Sequence, residues 1–180
     1  MTSSKRLFIA LWPDVPCRNE ISKMQELAAI NSGLMTGAVA YENLHMTLQF
    51  LGEVPVSAVP VLKSQLGFVS AMPFHISLDR WGHFAKSGIL WLGSSSQDNP
   101  LQELQAGVVK ATARAQYTDR KRMNREKVYK PHVTLFRKVD HLPRLESFDP
   151  IEWLIDRLVL VESTMHPDGV KYKILQEYLF

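Results

Sequence analysis

The sequence predicts an α+β fold in which most strands run antiparallel, and three observations lead to this prediction. Roughly seven or eight apolar runs have the length of a strand, and three longer segments carry apolar residues at helical spacing. The pattern His-x-Thr-Leu occurs twice, at residues 45–48 and 132–135. The two copies start 87 residues apart in a chain of 180, and a repeat at this separation indicates two similar halves.

The first element is a continuous apolar run over residues 7–12, which is typical of a central strand covered on both faces. Pro13-Asp14 ends this strand, and a helix begins just after it. The helical spacing stops at residues 31–33, where Asn, Ser and Gly follow one another. A short polar connection leads to a strand over residues 44–51, which contains the first His-x-Thr pattern.

In the middle of the chain, Val59, Leu62, Leu66 and Val69 have helical spacing and predict a second helix over residues 56–70. Pro60 is compatible with this helix because it falls in the first turn. Residues 74–79 alternate strictly between apolar and polar, which predicts a half-buried strand. We expect this strand to pair with residues 89–92 as a hairpin. A third helix is predicted from residue 101 to about residue 116.

The last part of the chain predicts three strands. Pro131 fixes the entry to the second His-x-Thr strand, which covers residues 132–136. Residues 154–161 are rich in apolar and β-branched side chains, and residues 170–175 follow a turn. These two runs therefore close the fold as an antiparallel hairpin.

The repeated pattern places matched side chains on one face of each strand. Because side chains alternate along a strand, His45 and Thr47 point one way while Met46 and Leu48 point into the core. Residues 132–135 repeat this arrangement, so a cleft between the two copies contains two imidazoles and two hydroxyls. One imidazole as base, one as acid and hydroxyls on the non-bridging oxygens suit in-line attack at phosphorus. A single copy is typical of an ordinary half-buried pair, but the duplication favours catalysis.

Composition limits the other possibilities. Apolar residues make up 46% of the chain, and a net charge of +3 with a pI near 9.0 weakly favours a polyanionic partner. Cys17 is the only cysteine, which excludes an intramolecular disulfide and a zinc site built on thiolates. The apolar run 7–12 is too short for a secretory signal, and no segment is long enough to span a membrane. We therefore expect a cytoplasmic protein.

Residues 119–130 carry six basic residues against two acidic ones, without a helical or strand period. Such a run is usually a solvated loop, but here it leads directly into the second His-x-Thr strand. It either stays solvated or supplies phosphate contacts to a longer nucleic acid. The four histidines outside the repeat are expected at the surface: His75, His83, His141 and His166.

The chain resembles the two-histidine (2H) phosphoesterases, and within them the bacterial RNA 2′,3′-cyclic phosphodiesterases of the ThpR/LigT type, formerly called 2′-5′ RNA ligases. The resemblance runs over nearly the full length in order and spacing. It is carried by Arg6-Leu7-Phe8-Ile9-Ala10-Leu11, Glu42-Asn43-Leu44-His45-Met46-Thr47-Leu48, Phe50-Leu51-Gly52-Glu53, Trp91-Leu92-Gly93 and Pro131-His132-Val133-Thr134-Leu135-Phe136-Arg137.

The resemblance implies one bilobal domain over residues 1–180. Two pseudo-symmetric lobes of mostly antiparallel sheet have helices packed outside and carry the motifs into a central cleft without a metal. It also implies hydrolysis of a terminal RNA 2′,3′-cyclic phosphate to a 2′-phosphate, with the 3′ oxygen leaving. In that scheme His45 is the proton donor and His132 the proton acceptor, although the residues alone do not say which does which. Thr47 and Thr134 would bind the phosphate oxygens.

Arg137 extends the second motif and is a candidate for neutralising phosphate charge. Strict alternation places it on the face opposite His132, unless the strand twists or bulges at its end. A base could stack on one of four aromatic rings, among which the sequence does not choose: Phe8, Phe50, Phe84 and Phe136.

The expected partners are RNA ends or cyclic nucleotides, with no cofactor, no membrane and a monomeric protein. Reversible joining or cleavage of 2′-5′ linked RNA at the same site is a second hypothesis, because a ribose hydroxyl can replace the attacking water. A third hypothesis is an RNA-binding module without turnover. The two titrating imidazoles argue against it, since binding alone needs positive charge and stacking.

Overall fold

The computed structural model describes residues 3–96, 99–115, 129–167 and 169–180. Within this part of the chain, three α-helices and nine strands follow one another, with short 3₁₀ turns at Tyr41–Asn43 and Val56–Ala58. In chain order the helices and strands are β1 (Ser4–Leu11), α1 (Val15–Ser32), β2 (Met46–Pro55), α2 (Val59–Leu66), β3 (Phe74–Leu78), β4 (Arg80–Phe84), β5 (Ile89–Gly93), α3 (Asn99–Arg114), β6 (Val133–Arg137), β7 (Ile151–Ile155), β8 (Arg157–His166) and β9 (Gly169–Leu179).

Seven strands form one sheet in the order β4-β5-β6-β2-β1-β8-β9, and β3 and β7 form a second, two-stranded sheet. Neighbouring strands in both sheets are antiparallel, so the predicted α+β class is confirmed. The two motif strands, β2 and β6, lie side by side at the centre of the large sheet. They pair through Met46 and Val133. Each motif strand therefore borders its own half of the sheet.

The large sheet has two unlike faces. One face packs against all three helices and the small sheet, and it forms the main core with buried residues such as Ile9, Met46 and Val133. The opposite face, here called the cleft face, carries a small buried cluster that includes Phe8 and Ala10. Alternation along β1 separates these sets, since Ile9 and Leu11 point to the core while Phe8 and Ala10 point away from it.

The first helix shows why these segments fold locally. The side chain of Asp14 accepts a hydrogen bond from the backbone N–H of Cys17 at 3.0 Å, which caps the start of α1. Gly33, at φ 65° and ψ 25°, adopts the left-handed conformation that ends it. No helix in the described part of the chain is both long and apolar enough to cross a membrane.

One predicted pairing and the extent of one predicted strand were wrong, whereas the predicted closing hairpin is confirmed by the antiparallel pairing of β8 with β9. The strand predicted at 74–79 does not form a hairpin with 89–92: β4 pairs with β5 instead, and β3 pairs with β7. The run 154–161 is not one strand, because it divides at Asp156 between β7 and β8, which belong to different sheets. The alternation of a strand encodes which side is buried but not its partner. Most of the basic run 119–130 lies outside the described residues.

Candidate active site

The two motifs meet where β2 and β6 pair. Met46 and Val133 are fully buried in the core, so the residues on either side of each point to the cleft face. Because the pairing is antiparallel, it brings His45 towards Thr134 and Thr47 towards His132. The structure thus brings the four predicted motif side chains together.

Both imidazoles are oriented in the same way. Nδ1 of His45 lies 2.6 Å from the backbone oxygen of Asn43, and Nδ1 of His132 lies 2.7 Å from that of Lys130. A carbonyl oxygen only accepts, so Nδ1 is the protonated nitrogen in each ring. Nε2 of both rings is therefore the nitrogen left for proton transfer. In His45 it lies 3.1 Å from Oγ1 of Thr47.

The surroundings of both histidines favour the uncharged imidazole. The pKa of His45 is lowered to about 4, mainly by burial; the hydrogen bond to Asn43 opposes this shift, and the positive charge of Arg137 contributes to it. Burial also lowers the pKa of His132, with Arg137 again acting in the same direction. In the free protein at neutral pH, both rings are accordingly neutral.

Three aromatic rings enclose His45. Trp12 stacks on it with ring centroids 5.3 Å apart and planes 10° from parallel, and Phe8 lies tilted at 5.0 Å. Tyr172, from β9, meets its edge at 5.3 Å and 90°. The sequence reasoning named Phe8 as a candidate but missed Trp12 and Tyr172. Trp12 continues the period-two row of Phe8 and Ala10, so alternation alone could have found it.

Aromatic rings also flank His132. Phe84 meets it edge-on with centroids 4.8 Å apart, and Trp91 lies tilted at 6.0 Å. The indole of Trp91 lies against Gly82, where a Cβ would fall 2.0 Å from a ring carbon. Only glycine leaves that space, so Gly82 permits the position of Trp91. The guanidinium of Arg80 lies 5.6 Å from the centroid of the Trp91 ring.

A β-bulge in β6 decides where Arg137 points. Phe136 pairs with Leu90 and Thr134 pairs with Trp91, so Leu135 is an extra residue on β6. Leu135 and Phe136 are both buried in the main core, which breaks the alternation. Phe136, one of the four stacking candidates, is therefore not available to a ligand.

Beyond the bulge, Arg137 pairs with Ile89. On β5, Ile89 shares a face with Trp91, whose ring contacts His132. Directly opposite residues of a sheet share a face, so Arg137 lies on the cleft face. The alternation in the sequence had placed it on the other side unless the strand bulged.

The first motif contains the matching bulge. Thr47 pairs with Ala10 and Gln49 with Ile9, which leaves Leu48 as the extra residue on β2. Phe50 then pairs with Phe8 on the cleft face. It occupies in the first half the place that Arg137 occupies in the second, and its ring centroid lies 5.8 Å from that of Phe8.

The remaining candidate side chains lie outside this group. His75, His141 and His166 are exposed as predicted. His83 differs, because it is only partly exposed and its Nε2 donates to the backbone oxygen of Val139 at 2.8 Å. Burial raises the pKa of the Cys17 thiol to about 12, so it stays protonated at neutral pH. Among the described residues, no three His, Cys, Asp or Glu side chains gather as a metal site.

Comparisons with known proteins identify relatives over nearly the whole chain. The family model of the 2′-5′ RNA ligase superfamily matches residues 13–166. A protein of Archaeoglobus fulgidus named RNA 2′,3′-cyclic phosphodiesterase is 30% identical over 96% of this chain and 99% of its own. One of the same name from Thermotoga maritima is 28% identical over 97% and 95%. The crystal structure of Escherichia coli LigT complexed with 3′-AMP shares the fold, with a TM-score of 0.86, 24% identity and 99% coverage of both chains.

Proposed function

The chain belongs to the 2′-5′ RNA ligase superfamily, and from this membership we propose that it is an RNA 2′,3′-cyclic phosphodiesterase. Its substrate is the cyclic phosphate at an RNA end or in a cyclic nucleotide, and its product is a 2′-phosphomonoester. The observation that carries this proposal is the pair of imidazoles on one face of paired strands, both with Nε2 as the nitrogen left for proton transfer.

In the proposed reaction, a water oxygen attacks phosphorus as the bond from phosphorus to the 3′ oxygen breaks. Nε2 of His132 takes the proton that the water loses, and Nε2 of His45 gives a proton to the leaving 3′ oxygen. After one turnover His132 is protonated and His45 is neutral. Exchange of protons with solvent then restores the starting state. No electron is transferred, and the scheme uses no metal.

The lowered pKa of His45 has a consequence for this scheme. An acid with a pKa of about 4 is mostly unprotonated at neutral pH, so the free protein is not poised to donate. A cyclic phosphate carries one negative charge, and an anion beside an imidazole favours the protonated form. Binding of the substrate therefore raises the pKa of His45 and favours the protonated form that the acid needs.

The hydroxyls of Thr47 and Thr134 and the guanidinium of Arg137 act on the non-bridging phosphate oxygens in this proposal. Negative charge on these oxygens grows as the water attacks, so donors held in place stabilise the transition state more than the substrate. Arg137 adds a full positive charge on the cleft face, and a guanidinium matches the geometry of two phosphate oxygens.

Turnover of adenosine 2′,3′-cyclic phosphate in the presence of EDTA tests the proposal. We expect adenosine 2′-phosphate as the product, separated from the 3′ isomer by chromatography, and no loss of activity in chelator. The variant with both histidines changed to Gln is the control for contaminating activity. Inhibition by EDTA that a divalent ion reverses, or a 3′ product, contradicts this scheme.

A 2′-5′ linked dinucleotide in the same assay examines the second activity. The superfamily is named for 2′-5′ RNA ligases. The same acid and base can act with a ribose hydroxyl in place of water. Faster cleavage of the dinucleotide than of the cyclic phosphate would make the linkage the preferred substrate. Binding of RNA without turnover of either compound would support the binding-module hypothesis.

We further propose that residues 1–180 form one bilobal domain and that the protein is a cytoplasmic monomer. Size-exclusion chromatography with light scattering tests the oligomeric state, for which a mass near 20.5 kDa is expected. Limited proteolysis tests the single domain, since a domain boundary would yield two stable fragments.

A further inference from the structure

The side chain of Gln25 lies in the main body of the protein, where polar groups are rare. It is 8% exposed and comes from α1. Its Nε2 donates to the backbone oxygen of Leu135 at 2.7 Å and to that of Val39 at 3.0 Å. Both hydrogens of the amide group are thus bound, and one of them reaches the residue that forms the bulge of β6.

At the bulge of β6, the backbone oxygen of Leu135 accepts hydrogen bonds from donors outside the β5–β6 pairing. Leu135 is skipped in the pairing of β6 with β5, and its carbonyl group faces the other edge of β6, where Ala38 forms an antiparallel bridge with Phe136. Two donors hold it there: the backbone N–H of Val39 at 2.8 Å and the Gln25 amide. A buried carbonyl oxygen without partners is costly, so these two donors hold the backbone of Leu135 in the place that it has in the bulged strand.

The segment around Val39 continues along β6 and reaches Arg137. The backbone N–H of Arg137 donates to the oxygen of Gly37 at 2.8 Å. Gly37 has φ +82°, and a Cβ on it would fall 2.0 Å from the backbone oxygen of Arg137. Gln25 therefore ties together α1, this segment and the bulge, immediately before the arginine that the bulge turns towards the cleft.

We propose that Gln25 is a positioning residue for the active site, which holds the β6 bulge so that Arg137 stays on the cleft face beside the two histidines. This inference rests on the proposed function in assigning Arg137 to the substrate phosphate. Gln25 itself lies on the core side of the sheet and acts through the backbone of Leu135. Without the bulge, regular alternation would point Phe136 to the cleft and Arg137 to the core.

The test replaces Gln25 with Met, which keeps the length of the side chain and removes both donors. The matched control is Tyr178→Phe, which removes a hydrogen bond of 3.1 Å to the backbone oxygen of Lys63, away from the motifs. We expect kcat/KM of Gln25→Met to fall about 10-fold or more, because displacement of Arg137 weakens its charged hydrogen bonds to the substrate phosphate. Tyr178→Phe should change kcat/KM by less than about 2-fold.

A double-mutant cycle separates positioning from general loss of structure. If Gln25 acts through Arg137, then Gln25→Met should have almost no effect on kcat/KM in the Arg137→Gln background. An equal fall in both backgrounds would overturn the inference, and so would a Gln25→Met variant no worse than Tyr178→Phe. Gln25→Asn, which retains the amide on a shorter side chain, supplies the same cycle if the Met variant does not fold.

Affinity for adenosine 2′-phosphate gives a readout that does not need turnover. Calorimetry should show weaker binding in Gln25→Met than in the unchanged protein, and equal binding in Arg137→Gln and in the variant that carries both changes. If the unchanged protein hydrolyses no cyclic phosphate, the proposed function fails while this measurement still tests the inference. Equal affinity of Gln25→Met and the unchanged protein would contradict the role of Gln25.

Discussion

The two motif strands have the same backbone geometry but different surroundings. Each carries a bulge at the Leu of His-x-Thr-Leu, and each orients its imidazole through a backbone oxygen two residues earlier. Three residues after the Thr, however, the first strand presents Phe50 and the second presents Arg137. The two strands thus share a backbone geometry, while the side chains around them differ. Different surroundings give the two imidazoles different tendencies to hold a proton, which suits one as the acid and the other as the base.

The bulges are also held by different partners. The hydroxyl of Tyr129 donates to the backbone oxygen of Thr47 at 3.0 Å, just before the first bulge, whereas Gln25 binds the oxygen of Leu135 in the second. Burial raises the pKa of Tyr129, so its hydroxyl remains a donor through the neutral range. Tyr129 also connects the halves, since it comes from the segment that enters the second motif.

The largest expected effect comes from removing either imidazole. His45→Gln and His132→Gln should each lower kcat by about 10²–10⁴, the usual contribution of general acid–base catalysis. The double variant should be little worse than either single one, because the pair acts as a unit. Steady-state rates on adenosine 2′,3′-cyclic phosphate measure this, with exposed His75→Gln as the control. Near-normal turnover by either single variant would rule out the two-histidine scheme.

The second prediction concerns the position at which the halves differ. Arg137→Gln should lower kcat/KM by about 10- to 100-fold, since it removes a charged donor to the phosphate. Phe50→Leu, at the matching position, should cost less than about 10-fold because an apolar side chain remains. The same assay measures both variants. Equal losses of kcat/KM would mean that Phe50 and Arg137 contribute equally to catalysis, contrary to the difference between the two strands.

Because burial lowers the pKa of His45, the free energy of unfolding should depend on pH. Between the ordinary value of 6.5 and about 4, the unfolded chain binds a proton there and the folded chain does not. The contribution of neutral His45 to the free energy of unfolding is therefore complete above pH 6.5, and it is lost as the pH falls towards 4. The loss is up to about 3 kcal/mol for the stated shift.

Urea unfolding at a series of pH values measures this effect. His45→Gln should lose less free energy of unfolding on acidification than the unchanged protein, because Gln does not titrate. His75→Gln, at an exposed position, should retain the pH dependence of the unchanged protein. If His45→Gln also retains it, then His45 is not held neutral by its aromatic surroundings.

The smallest expected effect is a displacement of the pH profile. The rate should be bell-shaped in pH, since one imidazole must be neutral and the other charged. Because burial lowers the pKa of both histidines in the free protein, the maximum of kcat/KM should lie below pH 6.5. The maximum of kcat should lie at higher pH, since the bound anion favours the charged acid. If the maxima of kcat/KM and kcat lie at the same pH, the bound phosphate does not raise the pKa of the catalytic acid.

Both profiles describe the coupled pair, so neither limb belongs to one histidine without further evidence. The variants His45→Gln and His132→Gln make the assignment, because each should flatten one limb of the residual activity. Loss of the same limb in both variants would mean that the two imidazoles do not have opposite roles.

Much of the fold could be predicted because it depends on local patterns. The period of apolar residues predicted the three helices, the strands that carry both motifs and the α+β class. The side chain of Asp14 caps the start of α1, and Gly33 ends it because a residue without a Cβ adopts the left-handed conformation at little cost. Alternation within each motif also placed His and Thr together and Met46 in the core. These features depend on neighbours in the chain, whose spacing is visible in the sequence.

Other features depend on contacts between distant residues, and only the tertiary structure decided them. The pairing of β3 with β7, the ring of Tyr172 against His45 and the reach of Gln25 to Leu135 have no local signal. The side of the sheet to which Arg137 points also has no local signal, because it depends on one extra residue in the register of β6 against β5. The sequence by itself determined the period of each strand, whereas strand register is set by packing between strands, and a single bulge reverses every face beyond it.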